Sequence, residues 1–240
     1  MKTLLHKANE RGKVNFGWLD SKHSFSFGHY HDPAKMNFGA LRVLNDDIVT
    51  GGGGFGAHPH DNMEIISIPL KGDLEHKDST GTKAVIREND VQIMSAGTGI
   101  RHSEKNHSSG EAVNFLQIWI LPKELNINPR YDQKTFDPSD RNNKLLTVVA
   151  PDAKSAVWIN QDAWLSLGNY EQGKTDVYPM HKAGNGVYVF VLEGSVKIDD
   201  IILDKKDALG VWDTSEFAFK SITNAQVLLI DVPMDVSEDQ

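Results

Sequence analysis

Along most of the chain, apolar residues come in short runs rich in Val, Ile, Leu and Phe, punctuated by glycine and proline. The clearest are Glu64-Ile-Ile-Ser-Ile-Pro-Leu, Val113-Asn-Phe-Leu-Gln-Ile-Trp-Ile-Leu, Val187-Tyr-Val-Phe-Val-Leu and Gln226-Val-Leu-Leu-Ile-Asp-Val. Each predicts a strand, and long amphipathic helical patterns are scarce. Many short strands at this spacing predict an all-β barrel or sandwich.

An internal repeat divides the pattern into two similar halves. Residues 64–78, EIISIPLKGDLEHKD, resemble residues 186–200, GVYVFVLEGSVKIDD, at an offset of 122. Gly72 falls on Gly194, Leu74 on Val196 and Asp78 on Asp200, so each copy reads as strand, glycine turn, strand. Asp90, before Val91-Gln-Ile-Met, matches Asp207, before Ala208-Leu-Gly-Val-Trp, once the second half is shortened by five residues. The polar stretch from Tyr131 to Asn143 is the expected connection.

The most informative chemistry sits in the first half. His58 and His60 are two apart, so on an extended strand they share a face, and His102 and Glu104 repeat that spacing later. If the two strands are neighbours, three imidazoles and a carboxylate converge as a site for a divalent transition metal with positions left open. From spacing alone, Glu64 and Glu104 are both candidates for the carboxylate. The second half lacks the pattern: at the repeat offset Met180 stands for His58, Lys182 for His60 and Gly186 for Glu64. His181 is one residue out of phase and would face the other side of its strand. One half is therefore expected to hold metal and the other to keep only the fold.

Other histidines are expected to be bland. His76 and His107 have no partner at ligand spacing and read as surface residues. His23, His29 and His31 read as hydrogen-bonded structural groups in a turn before Pro33. The Gly51-Gly-Gly-Gly run lacks the lysine and helix of a phosphate loop and reads as a turn leading to the ligand strand. Phe55, Met63, Met94 and Phe115 fit either a pocket lining or ordinary barrel packing.

Composition narrows the class. The chain has 240 residues, 39% hydrophobic, with no cysteine and a formal charge of −8. Thiolate metal sites and disulfides are excluded. The acidic balance disfavours nucleic acid. No segment approaches the roughly 20 apolar residues of a membrane span, and the start lacks a signal-peptide stretch. A cytoplasmic protein, with no membrane association, is the expectation.

The spacing around the histidines resembles the cupin motifs. Gly52, five residues, His58-x-His60, three residues and Glu64 resemble the first motif, with Gly72 one residue later than usual. Gly97-x-Gly99-x-x-His102-x-x-x-Asn106 resembles the second, except that Gly97 replaces a proline and Asn89 the opening glycine. More narrowly, Phe25-Ser-Phe, Ala40-Leu-Arg-Val-Leu-Asn-Asp-Asp, His58-Pro-His and Ser95-Ala-Gly-Thr-Gly-Ile-Arg-His-Ser-Glu resemble the pirin family over nearly the whole chain. The likeness is greatest to its bacterial members, which act as quercetin 2,3-dioxygenases.

The resemblance implies a bicupin, two double-stranded β-helix (jelly-roll) barrels in tandem, with residues 1–135 binding metal and residues 136–240 degenerate. It implies that the carboxylate comes from the second motif, so the ligands are His58, His60, His102 and Glu104. Glu64 becomes a neighbour that orients a ligand imidazole, and a reserve base behind Glu104. Fe(II) is the implied ion, while Cu, Zn, Ni, Co or Mn suit the same donors. The implied activity opens a flavonol ring with O2 and releases carbon monoxide, Glu104 accepting the hydroxyl proton. The family also contains metal-dependent regulators that bind a protein partner without catalysis, and this is the alternative expectation.

Overall fold

The computed structural model describes residues 1–152 and 154–236. The expected end of the second half, at residue 240, lies outside the described residues. The only helical elements described are two 3-10 turns, Ala8–Glu10 and Pro138–Arg141. Among the described residues no helix is long and apolar enough to cross a membrane.

Each half is a seven-stranded sheet faced by a four-stranded one. In the first half the larger sheet runs, in spatial order, Arg130–Thr135, Asp90–Ser95, Glu64–Lys71, Val113–Ile120, Leu41–Val49, Leu19–His23 and Gly12–Asn15. The smaller sheet runs Gly54–His60, Ile100–Asn106, Leu74–Asp78 and Lys83–Ile86. The second half repeats this order, with its central strands Asn185–Glu193 and Ala225–Pro233 standing where Glu64–Lys71 and Val113–Ile120 stand in the first. This is the bicupin architecture.

The repeat read from sequence is a repeat in space. The hairpin Glu64–Lys71, Gly72, Leu74–Asp78 has its copy in Asn185–Glu193, Gly194, Val196–Ile198. Gly72 and Gly194 turn with φ of 76° and 73°. Asp90 accepts from the backbone N–H of Arg87, and Asp207 from that of Asp204, so each aspartate ties the same three-residue turn before its strand.

The first half lends one strand to the second. Lys2–His6 pairs with Ala208–Trp212 at the edge of the second half's large sheet. That place is taken in the first half by Arg130–Thr135, which pairs with Asp90–Ser95. The two large sheets pack face to face over one apolar core. Phe25, Phe38, Leu116 and Ile118 from the first half meet Leu165, Tyr188, Phe190 and Leu228 from the second.

Both faces of the first half's large sheet are therefore buried, one against the second half and the other in its own barrel. Alternation sorts the side chains. Ile66 and Ile68 belong to the shared core, while Ile65 packs with Met94 and Ile100 inside the barrel. Phe115, Gln117 and Trp119 alternate inward in the same way, with Phe115 in the small core formed by Leu19, Val49, Leu74 and Ile86.

Candidate metal centre

The centre is built on strand Ile100–Asn106, where alternation buries His102, Glu104 and Asn106 and exposes Arg101 and Lys105. Across one neighbour His102 faces His58, and across the other it faces Asp78. Glu104 faces His76. The pairing with Gly54–His60 is bulged: from His102 to Glu104 the partner runs back from His58 to Phe55. The extra residue sits at Gly56–Ala57, and bulges of this kind re-aim side chains beside sites.

The bulge also sets a tautomer. His58 Nδ1 lies 2.8 Å from Gly56 O, so it carries the hydrogen and donates to the carbonyl. The Nε2 lone pair is left for the interior, the usual arrangement of a metal-binding imidazole. His60 Nε2 and His102 Nε2 face each other at 3.0 Å. Two nitrogens bound at right angles to one ion, each at about 2.1 Å, are about 3 Å apart. Ring nitrogens of His58, His60 and His102 all lie within 4.8 Å of one another. Burial, then the other imidazoles, pushes His102 down to about 2, and burial followed by His58 pushes His60 down to about 4. Both rings stay neutral at ordinary pH, as ligands must. The donor set fits a divalent transition ion.

Glu104 lies one step deeper. A carboxylate oxygen of Glu104 and ring nitrogens of His76 and His102 are mutually within 4.8 Å. Ser67 Oγ lies 2.9 Å from both Glu104 Oε1 and Gln117 Oε1, and Gln117 Nε2 donates to Glu104 Oε2 at 2.6 Å. Ser67 has a single hydroxyl hydrogen. With a proton on Glu104 the ring closes: Glu104 donates to Ser67, Ser67 to Gln117, and Gln117 back to Glu104. Burial pushes the Glu104 carboxyl up, in the same sense.

Two sequence expectations are corrected here. His76 is not a surface residue. It is 1% exposed, bonds Asp78 Oδ2 through Nε2 at 3.0 Å, and packs against His102 and Tyr131 with ring centroids 5.3 and 4.8 Å away. The usable signal was Leu74-x-His76-x-Asp78, one inward face of a strand. Glu64 neither orients an imidazole nor stands behind Glu104 as a base. It shares the phase of Ile66 and Ile68, faces the second half, and accepts from Ser95 Oγ at 2.8 Å and the Asn160 backbone N–H at 3.2 Å.

The remaining histidines are simpler. His107, His29 and His31 are exposed. His23 is buried edge-on against Phe27, and among the described residues no metal-spaced cluster forms around it. In the second half His181 bonds Asp231 and Tyr178 and stacks on Trp164.

A cleft of about 640 Å³ opens over the centre, lined by His60, Trp119, Met63, Ile100, Asp61 and Arg101 among others. Trp119 was not singled out from sequence. Its ring meets His60 edge-on at 4.9 Å, and its indole N–H has no partner. Met63 lines the cleft, whereas Phe55, Met94 and Phe115 belong to packed clusters.

Two departures from the cupin motifs have backbone causes. Asn89, at the opening glycine, has φ of 71°, a left-handed conformation that asparagine tolerates. Gly97, at the motif's proline, has φ of 49°, and a Cβ there would lie 2.0 Å from Ile127 O.

Two jelly-roll barrels in one chain, with a histidine cluster at the mouth of the first and, among the described residues, none in the second, define a bicupin with a candidate metal centre in its first half. Comparison narrows the class. Residues 5–120 match the pirin family and residues 147–232 the quercetinase C-terminal cupin domain. Escherichia coli quercetin 2,3-dioxygenase is 44% identical over 230 residues, which cover 95% of this chain and 98% of that protein. A pirin-like protein of Caulobacter vibrioides is 37% identical, covering 92% and 95%. The crystal structure of the bacterial pirin YhhW from Escherichia coli in complex with nickel(II) matches at a TM-score of 0.91 and 42% identity, covering 97% and 99%. The chain belongs to the pirin family.

Proposed function

We propose that this protein is a metal-dependent dioxygenase that opens the central ring of a flavonol such as quercetin, with His58, His60, His102 and Glu104 as the metal ligands. The net reaction consumes one flavonol and one O2 and yields a depside and carbon monoxide. The observation that carries the reading is the 3.0 Å approach of the His60 and His102 Nε2 atoms beneath an open cleft. The names of the relatives at 44% and 42% identity support the substrate class and a divalent ion. Fe(II) is our first assignment because membership of the pirin family favours it; the nitrogen and oxygen donors suit Cu, Zn, Ni, Co or Mn as well.

A divalent ion held by three neutral imidazoles and one carboxylate supplies a centre of net charge about +1 that favours an anionic substrate oxygen and can meet dioxygen. The protein does the rest. Trp119 and Met63 offer apolar walls for a planar ring system above His60. Glu104 would serve twice, leaving the ion to take the hydroxyl proton at a carboxylate oxygen, in a buried setting that favours its protonated form. The acidic, cysteine-free chain fits the cytosol.

The test is reconstitution of metal-free protein with Fe(II), Cu(II), Mn(II), Co(II) or Ni(II), followed by quercetin under air. Oxygen uptake with stoichiometric carbon monoxide is expected for at least one ion and is lost in His58→Ala. Absence of turnover with every ion ends this reading.

A further inference from the structure

We infer that Ser67 and Gln117 are positioning residues that aim the Glu104 carboxylate at the histidine cluster, and so set the strength and symmetry of the metal centre. The inference rests on the reading of Glu104 as a ligand.

Ser67 and Gln117 interrupt otherwise apolar strands, Ile65-Ile-Ser-Ile and Phe115-Leu-Gln-Ile-Trp. Both face the barrel interior, and both are buried. They are direct cross-strand partners in the large sheet, opposite the small sheet that carries the histidines. Their bonds to Glu104 therefore cross the barrel interior. A hydroxyl and an amide in that setting are costly unless paired, and they are paired with each other and with Glu104. Once Glu104 is ionised, as a ligand must be, Ser67 turns its hydroxyl hydrogen to it, and each carboxylate oxygen uses one acceptor position on the pair. A carboxylate has about four such positions. The others stay free for an ion, and the two contacts fix rotation about the terminal bond of Glu104. His76, opposite Glu104 and tied to Asp78, closes the remaining side. Partners of this kind around metal ligands typically change affinity about 10- to 100-fold when removed.

The test is titration of the metal-free full-length protein with Co(II), read as a dissociation constant and as the visible ligand-field spectrum. Ser67→Val and Ser67→Thr have nearly the same shape and differ in the hydroxyl. Gln117→Met keeps length and loses the donor. We expect Ser67→Val and Gln117→Met to bind Co(II) about 10- to 100-fold more weakly with shifted bands, and Ser67→Thr to stay within about threefold of the parent. Equal binding by the Val and Thr variants, with a parental spectrum in Gln117→Met, overturns the inference. Glu104→Gln separates the two levels. If it weakens Co(II) while the Ser67 and Gln117 variants do not, only the positioning role fails. If it leaves affinity and spectrum unchanged, Glu104 is not a ligand and both readings fall. The Val/Thr pair keeps the test decisive even if Gln117→Met does not fold.

Discussion

Burial acts in opposite senses on the two kinds of donor around the centre. It depresses His60 and His102 to about 4 and about 2, so neither ring has a proton to surrender above pH 5. It raises Glu104, whose closed ring with Ser67 and Gln117 already calls for a proton. An ion that takes Glu104 as a ligand must displace that proton. Metal affinity should therefore rise with pH, and in mildly acidic buffer the parent should release more protons per ion bound than Glu104→Gln, as read by calorimetry in buffers of different ionisation enthalpy. Equal release by the two proteins would contradict the assignment.

A second carboxyl, Asp47, behaves differently because no ion answers it. It is buried on Leu41–Val49, bonded by Ser21, and pushed up to about 7, first by burial and then by Glu104 and Asp46. A raised acid favours the folded state while it is protonated. The associated stability is complete below about pH 4, where unfolded aspartate is also protonated, and is lost as pH climbs towards 7. Asp47→Asn should leave the stability of the metal-free protein unchanged at pH 3.5. At pH 8 it should raise it by a few kcal/mol, an upper bound of about 1.4 kcal/mol per pKa unit. Urea unfolding at the two pH values measures this.

At the scale of elements, the ligand geometry depends on how closely Gly54–His60 lies against Ile100–Asn106. A Cβ on Gly54 would sit 2.6 Å from both Glu104 O and Lys105 Cα, which are backbone atoms that cannot rotate away. A Cβ on Gly56 would meet nothing within 4 Å. Gly54→Ala should push the strands apart, cost about 1–3 kcal/mol as overpacking does, and weaken metal binding at least about tenfold. Gly56→Ala should do neither, and the pair can be compared by melting and Co(II) titration. Strand identity was legible from the sequence because turns and apolar runs are local signals. The convergence of His58, His60 and His102 was legible because two same-face pairs are rare by chance. Glu64 was misplaced because strand Glu64–Lys71 is apolar on both faces. Ile65 faces one core and Ile66 the other, so the phase that sends Glu64 towards Asn160 leaves no mark in the local pattern. His76 was misplaced because its burial depends on barrel closure, with partners on strands distant in sequence such as Tyr131. Ser67, Gln117 and Trp119 went unnoticed for the same reason: an isolated polar residue in an apolar run has no spacing to read.

For the whole molecule, the question is whether the half with the histidine cluster can stand alone. The apolar outer face of its large sheet, with Ile66, Ile68, Leu116, Ile118 and Ile120, is covered by the second half. Polar ties cross the same boundary. Asn160 donates from its backbone to Glu64 and from its side chain to Glu124 O at 2.7 Å, and Gln161 donates to Leu121 O at 2.8 Å. The second half depends in turn on the first residues of the chain, since Lys2–His6 completes its sheet and His6 Nδ1 meets the buried Tyr188 hydroxyl at 2.9 Å. With the lent strand and the shared core, neither half encloses its own hydrophobic surface. The intact protein should unfold in one cooperative transition with coincident near- and far-ultraviolet dichroism. A fragment of residues 12–135 keeps every proposed ligand yet exposes a contiguous apolar sheet face, so it should aggregate or remain molten rather than bind Co(II). Adding a second fragment with residues 1–11 fused ahead of 136–240 restores both the missing strand and the cover, and should recover binding by complementation. A soluble fragment 12–135 that binds Co(II) with parental affinity by itself would show that the second half is dispensable for building the centre.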